Sequence, residues 1–188
     1  MSRDSGTLRD ACIRAPLVDW LRALHPDDGS TGLLQELKMP RPSARIDLAL
    51  VNGELAGFEI KSDADTLRRL TFQVPAFSRF FDRVSLVTTR KHLAAARKTV
   101  PAWWGLMVYR DDSSFWVART PKRNRNVDVS SLLYALSKKE LVELGRRAEV
   151  SMITSTSKDA MIKRVINSVS KREICDFSRD ILRLRGQD

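Results

Sequence analysis

The sequence predicts an α/β core followed by a helical C-terminal appendage, and three observations predict it. Two apolar-alternating runs between Arg45 and Lys61 flank the turn signal Asn52-Gly53-Glu54, which reads as a β-hairpin. Strand and helix signals interleave on either side of it, out to about residue 118. Past the basic, proline-containing segment 119–125, the signals are helical only. The chain therefore divides into a core over residues 1–125 and an appendage over 126–188.

Taken in order, Thr7 with Asp10 three residues on opens a first helix in the manner of a capping box. Leu8, Cys12, Ala15, Leu17, Leu21 and Leu24 give it an apolar stripe, and Pro16 predicts a kink or a fresh start. His25-Pro26-Asp27-Asp28-Gly29 ends it, with His25 in a structural role at the helix C-terminus. Leu33 to Met39, carrying Glu36, reads as a strand or the last turn of a helix, broken by Pro40 and Pro42. Ser62, Asp63 and Asp65 are caps for a helix over about 66–81, whose apolar face is Leu67, Leu70, Val74, Phe77 and Phe81. Pro75 predicts a kink there.

Residues 83–89 form a buried strand and 93–98 a short basic helix. Strands at 105–109 and 115–118 flank the hairpin signal Asp111-Asp112-Ser113-Ser114. Trp103, Trp104 and Trp116 read as packing residues. In the tail, Ser137 with Glu140 and Ser170 with Glu173 are capping boxes, and Ser157 is a third cap. They predict helices near 137–148, 157–169 and 170–185, with Leu141, Leu144, Met161, Ile162, Val165 and Ile166 as their core.

Of the 188 residues 43% are hydrophobic, enough for one sizeable core, and the net charge of +10 favours a polyanionic partner, nucleic acid first. Cys12 and Cys175 stand alone, so neither a disulfide framework nor a zinc site is expected, and a reducing cytoplasm fits. No run approaches membrane-spanning length, and the N-terminus lacks a signal-peptide pattern.

The hairpin carries the chemistry. A two-residue turn would set Asp47 against Phe58 and mix charged with apolar side chains on both faces. The three-residue connection Asn52-Gly53-Glu54 instead pairs Leu48 with Phe58 and Ile46 with Ile60, sets Ile46, Leu48 and Leu50 on one face, and brings Asp47 beside Glu59. Two carboxylates and Lys61 then face one way. Carboxylates are the ligands that a hard divalent cation takes, and such a cation activates water against a phosphodiester. A lysine beside it can orient or deprotonate that water, or stabilise the transition state. The carbonyl of Ile60 adds a candidate ligand.

Asp47 followed across a hairpin by Glu59-Ile60-Lys61 resembles the signature of the PD-(D/E)XK nuclease superfamily, the restriction-endonuclease-like fold. Glu36 matches the acidic residue that many members carry upstream. Gln73-Val-Pro-Ala-Phe77 is similar to the helix motif of the RecB-like branch, with Phe where Tyr is usual. Glu59-Ile-Lys61-Ser62 with the segment 65–70 looks like a small RecB-like, MmcB-like group of bacterial and phage nucleases. The match covers about residues 8 to 120. Ile46 stands where the superfamily's name has proline, and Phe77 lacks the usual hydroxyl.

The resemblance implies a mixed central sheet flanked by helices. It implies Mg²⁺ or Mn²⁺ on Asp47 and Glu59 with Glu36 and Ile60 as further ligands, and Lys61 and Gln73 assisting. DNA, single- or double-stranded, is the expected substrate, and double-strand cutting would call for a homodimer. Phosphate contacts are expected from Arg68 and Arg69 and from Lys122, Arg123 and Arg125. The tail's helix, long loop, helix order resembles SAP-type DNA-binding modules, and an interaction or dimer-forming bundle fits it equally. The same fold without catalysis would be a nucleic-acid-binding module.

Overall fold

The computed structural model describes residues 8–25, 29–110 and 112–187. Its centre is one six-stranded mixed sheet whose spatial order follows the chain. The strands are β1 (Gly32–Pro40), β2 (Ser43–Val51), β3 (Leu55–Lys61), β4 (Arg83–Thr88), β5 (Gly105–Tyr109) and β6 (Phe115–Arg119). The first three form an antiparallel meander, β4 and β5 join in parallel, and β6 returns antiparallel. The ambiguous segment with Glu36 is thus a strand.

Helix α1 (Asp10–Leu24) covers one sheet face, placing Ile13, Leu17 and Leu21 against Leu48, Leu50, Phe58 and Ile60. The parallel crossovers, a 3-10 turn (Leu67–Arg69) with α2 (Leu70–Phe80) and then α3 (Arg90–Thr99), contribute to the core on the other face. Phe77, Phe81 and Trp104 meet there beneath Ile46, Leu55 and Leu86. Pro16 and Pro75 sit inside unbroken helices, because apolar contacts on both sides of each proline hold the axis despite the lost hydrogen bond. The expected cap at Thr7 lies outside the described residues, as does Asp111. Asp10 pairs with Arg14 one turn on. The helix expected from residue 66 becomes α-helical only at Leu70, and neither Thr66 nor Arg69 caps it through its side chain. Asp65 accepts from the Ser62 amide and hydroxyl instead.

The C-terminal helices are α4 (Val129–Ala135), α5 (Lys138–Arg147), α6 (Lys158–Ser168) and α7 (Lys171–Arg185). Both capping boxes form and Ser157 caps α6. The unforeseen α4 is capped by Asp128, which accepts from the Ser130 amide. These helices share a core of Leu133, Leu141, Leu144, Met161, Ile162 and Phe177. Ile166, expected in that core, is exposed. Leu132 of α4 and Cys175 and Leu182 of α7 turn the other way, into the core under β1 and β2. The β1 amide at Leu33 is bonded by the carbonyl of Gly186 at 3.0 Å. Among the described residues no helix is long and apolar enough to cross a membrane.

Candidate active site

The hairpin connection is the expected three-residue one, with Val51 opposite Leu55 and Leu48 opposite Phe58. Gly53 takes the left-handed conformation, φ +83°, that this turn requires. The expected Ile46–Ile60 pair is absent, because the ladder stops at Leu48 and Phe58. The Ile60 amide donates to Asp47 Oδ2 at 2.7 Å, so a carboxylate takes the place of a backbone carbonyl.

The cause lies in β1. Glu36 has a left-handed backbone, φ +57°, and the β1–β2 register skips the Glu36–Asp47 pair while remaining regular on both sides. Side-chain phase slips by one residue at this point. Leu34 before it and Leu37 and Met39 after it all join one core. In β2, Ile46 joins that same core while Leu48 and Leu50 join the opposite one. The single face expected for Ile46, Leu48 and Leu50 is therefore two faces. At the slip, the acidic side chains turn into a cleft.

That cleft has a volume of about 580 Å³, with Glu36, Asp47, Glu59, Ile60, Lys61 and Gln73 in its wall. Glu59 and Lys61 lie on the β3 face opposite Phe58 and Ile60, as the alternation predicts, and each is only 2% exposed. Gly57 on their face leaves room for neighbours, since a Cβ there would come within 2.5 Å of Ile46 Cδ1. Lys61 Nζ donates to Glu59 Oε1, which also accepts from Gln73 Nε2 at 2.6 Å. Glu59 Oε2 and Gln73 Oε1 are buried with no partner. Burial pushes the Glu59 carboxyl up to about 7, against the pull of Lys61 and with a push from Asp47. Buried polar atoms are normally satisfied, so an orphaned carboxylate oxygen beside an ammonium marks a place for a ligand.

The residue missed by sequence reasoning is Arg14 on α1. Its guanidinium reaches Asp10 at 2.7 Å, Asp47 Oδ1 at 2.8 Å and Glu36 at 3.2 Å. Arg45 holds the other oxygen of Glu36 at 2.5 Å. The spacing of Asp10 and Arg14 signals a helical ion pair, but nothing local signals Asp47 as a partner. Among the described residues, no three His, Cys, Asp or Glu side chains group to hold a metal ion. Asp47 and Glu59 remain a two-carboxylate set, which suits a magnesium-like cation that keeps most of its waters.

The other expected contacts divide. Arg69 lines the cleft, whereas Arg68 is exposed outside its wall. Phe77 is fully buried and stacks on Trp104, ring centres 6.0 Å apart, so its missing hydroxyl concerns core packing. Lys122, Arg123 and Arg125 line a separate groove of about 1050 Å³, joined there by Lys171 and Arg172 of α7. The segment presenting them is held by the Lys122 amide on Trp103, the Asn124 amide on Asp82, and the Asn124 side chain on Ser78 and Phe81. Arg123 pairs with Glu54 at the turn end of β3, five residues from Glu59 or about 16 Å along a strand. Cys12 and Cys175 are free thiols.

Comparison with known proteins adds a family. Residues 3–188 match the family model described as Bacteriophage P4 protein cII. Protein cII of Enterobacteria phage P4 is 33% identical over 107 residues, which is 57% of this chain and 40% of that protein's length. The chain thus spans well under half of this curated relative. A protein of unknown function from Silicibacter pomeroyi is 21% identical, with a TM-score of 0.45 over 63% of this chain and 75% of that one. With nearly its whole length matched, the chain belongs to the bacteriophage P4 protein cII family.

Proposed function

We propose that the cleft hydrolyses DNA phosphodiester bonds, as a PD-(D/E)XK-type nuclease in the cytoplasm. The observation that carries this reading is the buried, unpartnered Glu59 Oε2 beside Lys61 and across from Asp47. Asp47 and Glu59 would hold Mg²⁺ or Mn²⁺, with the Ile60 carbonyl as a further ligand. When bound, such a cation supplies Lewis-acid stabilisation and acidifies its water. Lys61, fixed by its bond to Glu59, is poised to orient the attacking water or to stabilise charge on the phosphate. Gln73 positions Glu59 by donating to Oε1 and leaves its own Oε1 free to accept. Arg69 at the cleft and the groove cations Lys122, Arg123 and Arg125 are suited to the DNA backbone, at an affinity that falls with salt.

A second reading is a nucleic-acid-binding module without catalysis. Arg14 favours it, because its guanidinium already neutralises the carboxylates that a cation would use. The deciding experiment measures nicking and degradation of plasmid and oligonucleotide DNA with Mg²⁺ or Mn²⁺, by wild type and by Glu59→Ala. The nuclease reading expects wild-type cleavage and a loss of about 10²-fold or more in the variant. Salt-sensitive binding without cleavage would leave the binding module. Equal cleavage by both proteins would remove the site assignment.

A further inference from the structure

Phe72 is the most exposed large hydrophobic side chain among the described residues, at 82%, and the only one of that exposed set that lines the cleft. It lies in the first turn of α2, next to Gln73, whose amide touches Glu59. The core-facing positions of that helix are Leu70, Ala76, Phe77 and Phe80, so the Phe72 ring has no role in packing. Arg69 in the cleft wall and Arg68 just outside it precede Phe72 by three and four residues, at the end of the 3-10 turn that leads into α2. The cleft thus has an aromatic face at its lip, with cations beside it and a buried carboxylate-lysine pair inside.

An aromatic ring flanked by arginines is how proteins hold unpaired bases: the ring stacks on the base and the cations take the phosphates. A base inside a duplex has both faces covered by its neighbours and cannot use such a ring without unstacking. From the exposed ring, its flanking cations and its distance of one residue from Gln73, we infer that Phe72 is a base-stacking platform and that the cleft takes single-stranded or frayed DNA in preference to an intact duplex. This rests on the nucleic-acid reading of the cleft and names its substrate class.

The test is fluorescence anisotropy of a labelled oligothymidine and a labelled blunt duplex, in EDTA so that no cleavage intervenes. Wild type, Phe72→Ala and Phe72→Trp are compared. Phe72→Ala is expected to lose about tenfold or more on the single strand and under about twofold on the duplex, with Phe72→Trp restoring the single-strand affinity. A 2-aminopurine base in the oligonucleotide should be quenched by wild type and not by Phe72→Ala. Equal loss on both DNAs, or none on either, overturns the platform while leaving cleavage at Glu59 a separate question. A wild-type dimer that Phe72→Ala dissolves, with oligonucleotide affinity unchanged, would give the ring to a second copy and also overturn it. Should wild type bind neither DNA, the nucleic-acid reading falls and the platform with it.

Discussion

Strand β3 has a buried ion pair at each end, and the two are built differently. At its start, Asp82 takes Arg179 through two hydrogen bonds of 2.8 and 2.9 Å, and its Oδ2 also accepts the Leu55 amide at 2.7 Å. At its end, Glu59 and Lys61 are equally buried, yet Glu59 Oε2 and the neighbouring Gln73 Oε1 are bare. The first pair joins α7 to the sheet and is saturated. The second has capacity left over, inside a cleft. Saturation is the mark of a structural pair and spare valence that of a working one.

The sharpest way to break this contrast is to cut each pair. Asp82→Ala takes two hydrogen bonds from Arg179, leaving it only the exposed Asp176, and strips the Leu55 amide of its acceptor, so it should cost about 3–5 kcal/mol in urea denaturation. Glu59→Gln keeps an acceptor for the buried Lys61 and removes a carboxylate that is costly to bury, so these effects offset and the loss at neutral pH should stay under about 1–2 kcal/mol. Comparable losses in both variants would erase the distinction.

A somewhat smaller effect should appear with pH. The folded Glu59 carboxyl lies near 7, against an ordinary value of 4.5, so the folded state holds a proton that the unfolded chain releases between these values. Its contribution is complete below about pH 4.5 and is lost as pH rises through 7, a decline of about 3 kcal/mol in all. Urea midpoints of wild type at pH 5 and 7.5 should show this fall, and Glu59→Gln should flatten it.

Smallest is Arg14→Gln. It removes the guanidinium from three partly exposed carboxylates and should cost about 1 kcal/mol. If the proposed cation site is real, thermal melts with Mn²⁺ should show that deficit shrinking, because an ion taken up by the vacated carboxylates would stabilise the folded state. A deficit indifferent to Mn²⁺ would speak against a cation site at Asp47.

Much of this was legible in the sequence because parity is unforgiving. The residues on both sides of Asn52-Gly53-Glu54 allow one register, and the molecule adopts it. The caps at Ser137, Ser157 and Ser170 worked for a similar reason, since their partners lie three residues away. What could not be read depended on the rest of the fold. Glu36 carries no propensity for the left-handed backbone it adopts, so the slip and the two faces of Ile46 and Leu48 were hidden. Arg14 finds Asp47 thirty-three residues on, across separate elements. Helix α4, at seven residues, is too short to show a period. Phe77 satisfied both a motif and an apolar stripe, and the core took it.

The phase slip at Glu36 and Asp47 has a consequence for how this site can vary. Loop-built sites drift easily by insertion and deletion, since a loop absorbs a residue without disturbing its neighbours. A strand cannot, because one added or removed residue turns every later side chain to the other face. Deleting Glu36 would give β1 a regular alternation with Leu34, Leu37 and Met39 on one face, but the matching slip in β2 between Ile46 and Leu48 would lose its counterpart and the pairing beyond it would be displaced, so the fold itself penalises loss of the irregularity. The carboxylates are therefore framed by the hydrophobic pattern of two strands, and their arrangement is inherited with the sheet.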